Sequence, residues 1–367
     1  MALRGSIRPF PCASWVSRLG PKGKVIRAST PVRERRQRHV RRRPRVGIVL
    51  GAGGVLGGAW MVGALAALNR VSGWDPRDAD YLVGTSAGAL FAALLAAGVS
   101  PTRLLPPADV SRSPRGRWIL NELTLESSYR SEHWLPHAPL GSWRLALAGL
   151  LQTPSPWSLL QTMSGIAPAG RVSPDPILRT VRQAASRGWS AHPHCRIVAT
   201  DYASGKRVVF GETGAPEADL ADAVAASCAI PGFFEPVVIK GRRYVDGGLH
   251  SLCNLDLVAD SGLDVVICFS AMTSRVAHDE SAPLQRAIHS LLSRAGDQLR
   301  QQADALMHRG IDVVVVEPTA RDLAAMGSNL MNPSQWSAVL ETALTSVAGQ
   351  LRRRHINARL GVLGSAA

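Results

Sequence analysis

Gly84-Thr85-Ser86-Ala87-Gly88 is a G-x-S-x-G pentapeptide between a short apolar run, Tyr81-Leu82-Val83, and a small-residue stretch of helical character, Ala87 to Ala97. A strand before and a helix after is the setting a nucleophile elbow requires, a sharp turn that lifts a serine hydroxyl off the end of a sheet. The helix N-terminus behind it favours negative charge developing there. Gly84 and Gly88 suit a turn that packs its neighbours too tightly for side chains. Ser86 is therefore the candidate nucleophile for acyl transfer. The alternative is a plain strand-to-helix turn in which Ser86 caps the helix.

Two further segments have the chemistry such a serine needs. Gly51-Ala52-Gly53-Gly54-Val55-Leu56-Gly57-Gly58 follows the apolar run Arg45 to Leu50 and precedes an apolar stretch, Ala59 to Val71, at helical spacing. Successive glycines let backbone N–H groups converge on an anion. As a dinucleotide fingerprint the loop fails, because Leu56 stands where the last glycine belongs. As an oxyanion hole it fits, provided that the two strands lie side by side in parallel. Glycines serving only close packing are the third reading. Val245-Asp246-Gly247-Gly248 then places an acid at a strand end, either as a general base or as part of an ordinary turn. His250, His278, His289 and His308 follow that aspartate in the Ser…Asp…His order of α/β-hydrolases, so a triad competes with a base that is aspartate alone. Cys228 reads as a small buried residue rather than a nucleophile. No His/Cys/Asp/Glu group has metal-ligand spacing, since His192-Pro193-His194-Cys195 lacks a fourth partner nearby. Neither a metal nor a cofactor is expected.

Positioning these residues takes strands alternating with helices. Strands are expected at Arg45 to Leu50, Tyr81 to Val83, Arg196 to Thr200, Arg207 to Phe210, Val265 to Phe269 and Val313 to Val316, with a hairpin-like pair at Val237 to Ile239 and Arg243 to Val245. Helices are expected over about 218–227, 284–308 and 334–353. The continuous apolar runs are those of parallel strands covered on both faces, which gives an α/β class with a mainly parallel sheet. Residues 101–190 break the alternation. They hold five of the nine tryptophans, Trp118, Trp134, Trp143, Trp157 and Trp189, and read as an inserted, mostly helical cap with Leu145 to Gln152 as one apolar segment. Residues 275–367 read as a helix–strand–helix extension.

The chain has 367 residues, of which 46% are apolar, enough for a core and too many for a disordered protein. Its net charge of +15 is uneven. Residues 1–46 hold 14 Lys and Arg against one acid, Glu34, so the remainder is nearly neutral. Residues 1–44 are expected to be a basic, disordered tail on a domain spanning 45–367, a tail suited to anionic membrane surfaces. It has no aromatic interleaving, so specific nucleic-acid recognition is not expected. The five cysteines are odd in number, without C-x-x-C, which suits a reducing compartment. No apolar leader of signal-peptide length opens the chain, and no long uncharged apolar run suggests a membrane span. The expected location is the cytoplasm, peripheral at the membrane.

In this order and these settings, the glycine loop, the G-T-S-A-G elbow and the D-G-G turn resemble the patatin-like phospholipases. The likeness extends to Ile48 to Leu68, to Val198-Ala199-Thr200-Asp201 and to Ala226-Ser227-Cys228-Ala229-Ile230-Pro231-Gly232-Phe233-Phe234. It covers about 45–100 and 194–250. The resemblance implies a three-layer α/β/α sandwich with a mainly parallel central sheet. It also implies a serine acyl-ester hydrolase of lipase, phospholipase or lysophospholipase type that uses a Ser-Asp dyad. Ser86 matches the nucleophile and Asp246, with Gly247 and Gly248 behind it, the dyad aspartate. Gly53, Gly54 and Gly57 match the oxyanion loop. Two positions depart from the family. Ala52 replaces a usual glycine, and Leu56 a frequent Arg or Lys. Those departures keep open a non-catalytic lipid-binding or scaffold protein on the same fold, and the dyad would equally serve an acyltransferase.

Overall fold

The computed structural model describes residues 42–105, 141–153, 155–185, 188–273, 283–361 and 363. Most of the basic tail, and Trp118 and Trp134 of the expected cap, lie outside the described residues. One compact unit runs from Arg43 to Ala367.

Eight strands form a single sheet. They are β1 (Val46–Leu50), β2 (Tyr81–Thr85), β3 (Cys195–Asp201), β4 (Arg207–Phe210), β5 (Val237–Ile239), β6 (Arg242–Asp246), β7 (Val265–Phe269) and β8 (Asp312–Val316), in the order β5-β6-β3-β2-β1-β7-β8 with β4 also on β3. The five strands from β3 to β8 are parallel. β4, β6 and β5 form an antiparallel fringe at one end.

The parallel strands are apolar along their whole length because both faces are covered. Ile48 and Leu50 of β1 point into a large core with α1 (Gly54–Ser72), α2 (Ala87–Ala96), α5 (Asp175–Ala184), α6 (Leu220–Cys228) and α9 (Trp336–Leu351). Val49, Val83 and Val198 point the other way, onto Leu299, Ala303 and Leu306 of α7 (Pro283–His308). The result is a three-layer α/β/α sandwich. α1 is long and apolar enough to cross a membrane by composition, with a mean hydropathy of 1.3, but it is the central core helix, buried from Leu56 to Leu68.

Three described α-helices fall in the expected cap region 101–190: α3 (Trp143–Leu150) and α4 (Pro156–Ile166) form a hairpin, whereas α5 packs Ile177 and Val181 into the main core. The C-terminal stretch differs from expectation. α8 (Ala320–Met326), opened by a reciprocal Thr319/Asp322 capping box, precedes α9, which is the helix expected over about 334–353, and after Arg353 in extended conformation a further short helix follows, α10 (Arg354–Leu360).

Candidate active site

The position of the site follows from register. β4 pairs with β3 along Ile197–Thr200, so β2 and β6 share the opposite edge of β3, end to end. Thr85 at the end of β2 pairs with Val198, and Asp246 at the end of β6 pairs with the next residue, Ala199. The two strands thus converge with their C-terminal ends meeting, and Ser86 emerges from one of them against the carboxylate of the other.

Ser86 sits at φ 55°, ψ −126°, one of only three non-glycine residues with positive φ among the described residues. That region is costly for a side chain and is held here by its surroundings. The Ser86 N–H donates to Ser227 Oγ at 2.9 Å, and Ser227 Oγ donates to Val198 O at 2.5 Å. The Cys228 thiol donates to Ser86 O at 3.1 Å. Behind the turn, Asn254 Nδ2 donates to Thr85 Oγ1 at 3.0 Å. The elbow glycines are obligatory. A Cβ on Gly84 would lie 2.5 Å from Ala89 Cα, and one on Gly88 would run into Leu50 O and lie 2.6 Å from Gly51 O.

Asp246 is 6% exposed. Its N–H donates to Ala229 O at 3.0 Å, and its carbonyl accepts from Thr200 Oγ1 at 3.0 Å. Its carboxylate accepts the Gly248 N–H at 2.7 Å and has the Ser86 side chain as a polar neighbour. Burial pushes the carboxyl up from 3.8 to about 6, against the opposite pull of the Ser86 side chain and the Gly248 N–H. Gly247 leaves no room for a side chain, since a Cβ there would run into Val198 O. Burial, with the Asp246 charge added, holds the Cys228 thiol well above its ordinary range, so it stays protonated and is no nucleophile.

The glycine loop and the elbow leave the same end of β1 and β2, which are adjacent and parallel. α1 begins at Gly54, five residues earlier than the sequence suggests, with Gly53 as its N-cap. This corrects the part expected of Gly57. Its N–H closes the first helical turn onto Gly53 O at 3.0 Å and is spent. Its lack of a side chain still matters, because a Cβ there would lie 3.0 Å from Ala271 Cβ. Among the described residues nothing accepts a hydrogen bond from the N–H of Gly53 or Gly54. The Ala52 N–H goes to Leu252 O and the Leu56 N–H to Leu330 O, while the Leu56 side chain is buried in the core. Neither departure from the family pattern touches the two free donors.

An apolar cleft opens at Ser86. Gly54, Val55, Leu90, Phe91, Ile177, Ile230, Phe234, Met331 and Trp336 line it, and among the described residues no charged side chain does. A family model for patatin-like phospholipases matches residues 48–259, more than half of the chain, including both Ser86 and Asp246. The chain belongs to the patatin-like phospholipase family. That family generally carries esterase or phospholipase activity, which places this patatin-like chain among the lipid hydrolases. Solved structures similar to it include VipD from Legionella pneumophila, 16% identical with a TM-score of 0.37 over 88% of this chain and 67% of that one. The type III effector protein ExoU is 20% identical with a TM-score of 0.32, over 87% of this chain and 54% of that one. The patatin-like chain thus spans about half of the ExoU chain's length.

Among the described residues, no histidine acts on the Asp246 carboxyl. His250 is acted on by burial and by Arg207, which lower its pKa, and by Asp256, which raises it. His192 is engaged with Ala79 O at 2.7 Å, and His194 stacks on Tyr81. His278 and the side chain of His289 lie outside the described residues. Ser227 and Asn254 escape sequence reasoning, because their partners are 141 and 169 residues away. Ser227 lies in a segment similar to the family's, which is the one signal that could have singled it out.

Proposed function

We propose that the chain is a serine acyl-ester hydrolase acting on lipid esters, with Ser86 as nucleophile and Asp246 as its base. The observation that carries this reading is the convergence of a serine held at φ 55° at the end of β2 and a buried carboxyl at the end of β6 on consecutive residues of β3. As Ser86 Oγ attacks the ester carbonyl, Asp246 takes its proton. The carbonyl oxygen gains charge and is met by the N–H groups of Gly53 and Gly54, each such donor contributing about 3–4 kcal/mol in comparable hydrolases. The leaving alcohol departs with a proton returned from Asp246. Water activated by the same carboxylate then cleaves the acyl-enzyme. A carboxyl raised to about 6 is a stronger base than an ordinary aspartate, which suits it to this task without a histidine. The uncharged cleft beside Ser86 suits the acyl chain rather than a headgroup. Of its walls, Met331 and Trp336 come from beyond the stretch that the family model matches.

Hydrolysis of a p-nitrophenyl ester and of a phospholipid by the purified chain tests this reading. Ser86→Ala is expected to reduce both to background while the protein stays folded. Undiminished turnover by the alanine variant would overturn it.

A further inference from the structure

Large apolar side chains left in water are concentrated in one place. Trp143 (68% exposed), Leu150 (72%) and Leu151 (76%) on and after α3, with Leu159 (62%), Met163 (61%) and Ile166 (61%) on α4, belong to a single hairpin. Among the described residues, only Leu147 of the same hairpin and Val238 in β5 join them as exposed large hydrophobics. Single exposed apolar residues need no explanation, but a clustered face does.

The hairpin is a firm unit. A Cβ on Gly149 would lie 2.5 Å from Thr162 Oγ1, and one on Gly165 would lie 2.7 Å from Ser142 O, so the two helices touch backbone to backbone. Its inner side is anchored on the segment that carries the proposed base. Leu145 packs on Tyr202, Val245 and Leu249, and Gln161 Nε2 donates to Leu249 O at 3.2 Å. The outer apolar face therefore stands one helix layer away from Asp246.

The charges there have one sign. From His133 to Pro174 the sequence contains no Asp or Glu, and its cations are Arg144 and Arg171. The Arg144 guanidinium lies over the Trp143 ring, 5.5 Å from its centroid. An apolar face with tryptophan at its edge and arginine as its only kind of charge complements a lipid–water boundary with anionic headgroups, where Trp favours the interface and Arg the phosphates.

We propose that the α3–α4 hairpin is a bilayer-docking surface that seats the cleft at its lipid substrate. The proposal rests on the reading of the site as a lipid ester hydrolase. Leu150, Leu151, Leu159, Met163 and Ile166 enter the headgroup–acyl boundary, Trp143 and Arg144 lie at its rim, and the Asp246 turn beneath the hairpin is brought to the membrane surface.

The test uses the full chain and the variant Trp143→Ser/Leu150→Ser/Leu159→Ser, whose substituted side chains are exposed. Both are sedimented with phosphatidylcholine–phosphatidylglycerol vesicles in salt that screens the basic residues 1–46. The unaltered chain is expected to bind. The variant is expected to bind more weakly by about tenfold or more for each side chain removed, to lose phospholipid turnover in parallel, and to hydrolyse a soluble short-chain ester at the unaltered rate. Equal sedimentation of the two proteins would overturn the proposal. So would a dimer in lipid-free solution that the variant converts to monomer, which would assign the face to a second copy. An unaltered chain that binds vesicles through this face but turns over no soluble ester would refute the hydrolase reading and leave the docking surface standing.

Discussion

At the residue scale, Ser86 and Asp246 each occupy a state that an isolated residue would avoid. Ser86 holds a backbone conformation that favours glycine, and Asp246 holds a carboxyl in a buried site. The aspartate's state has a consequence for stability. Its pKa is about 6 in the fold against about 3.8 in an unfolded chain, so the folded form binds the proton more tightly. Stability is then greatest below the unfolded value and falls as pH rises through about 4 to about 6, by about 3 kcal/mol in all. Activity runs the opposite way, since the base must be ionised. The acid limb of kcat/KM is expected near pH 6, with rates dropping about tenfold per pH unit below it. Asp246→Asn keeps the acceptor for the Gly248 N–H and removes the buried charge. It is expected to lower kcat by about 10²–10⁴-fold and to raise the denaturation midpoint at about pH 8, the gain vanishing near pH 4. Urea titrations of both proteins across that range check the sign, and a variant less stable at high pH would contradict it.

At the element scale, β3 acts as the ruler. Because Thr85 and Asp246 pair with consecutive residues of one strand, the distance between the elbow and the D-G-G turn is set by backbone hydrogen bonds rather than by side-chain packing. The turn tolerates no bulk. Gly88→Ala drives a methyl group into the carbonyls of Leu50 and Gly51, which are backbone and cannot swing away. It is expected to lose about 3 kcal/mol or more of stability. Gly349→Ala, on an exposed turn of α9 with nothing within 4 Å, is the matched control and is expected to gain about 0.5–1 kcal/mol. Thermal midpoints read both.

Most of this scale was legible in advance. The elbow, the glycine loop and the D-G-G turn each announced themselves by glycine placement beside apolar strands. What could not be read was pairing across the chain. Nothing local marks Ser227 as the acceptor for the Ser86 N–H, and nothing in the glycine spacing tells that the helix begins at Gly54 and consumes the Gly57 N–H. The Thr319/Asp322 capping box was a readable start signal for α8. By contrast, no side-chain cap at Arg353 signals that a second short helix, α10, follows the end of α9.

At the scale of the whole molecule, the two faces of the sheet divide the work. α7 and its neighbours cover one face, while the glycine loop, the elbow and the cleft open beside α1, α2 and α9 on the other. The compact unit begins at Arg43, whose guanidinium pairs with Asp80 at 3.0 Å. Removing residues 1–41 is therefore expected to leave soluble-ester turnover unchanged and to weaken binding to anionic vesicles at low salt, where a polybasic segment contributes about 1 kcal/mol per cation near the surface. Equal vesicle binding with and without those residues would leave the segment no membrane role. The central claim is that Ser86 reacts and Asp246 alone activates it. Labelling with a fluorophosphonate followed by peptide mapping tests it most directly. The adduct is expected on Ser86, at an unchanged rate in His250→Ala and far more slowly in Asp246→Asn. An adduct on another residue, or labelling that survives Asp246→Asn and disappears in His250→Ala, would contradict it.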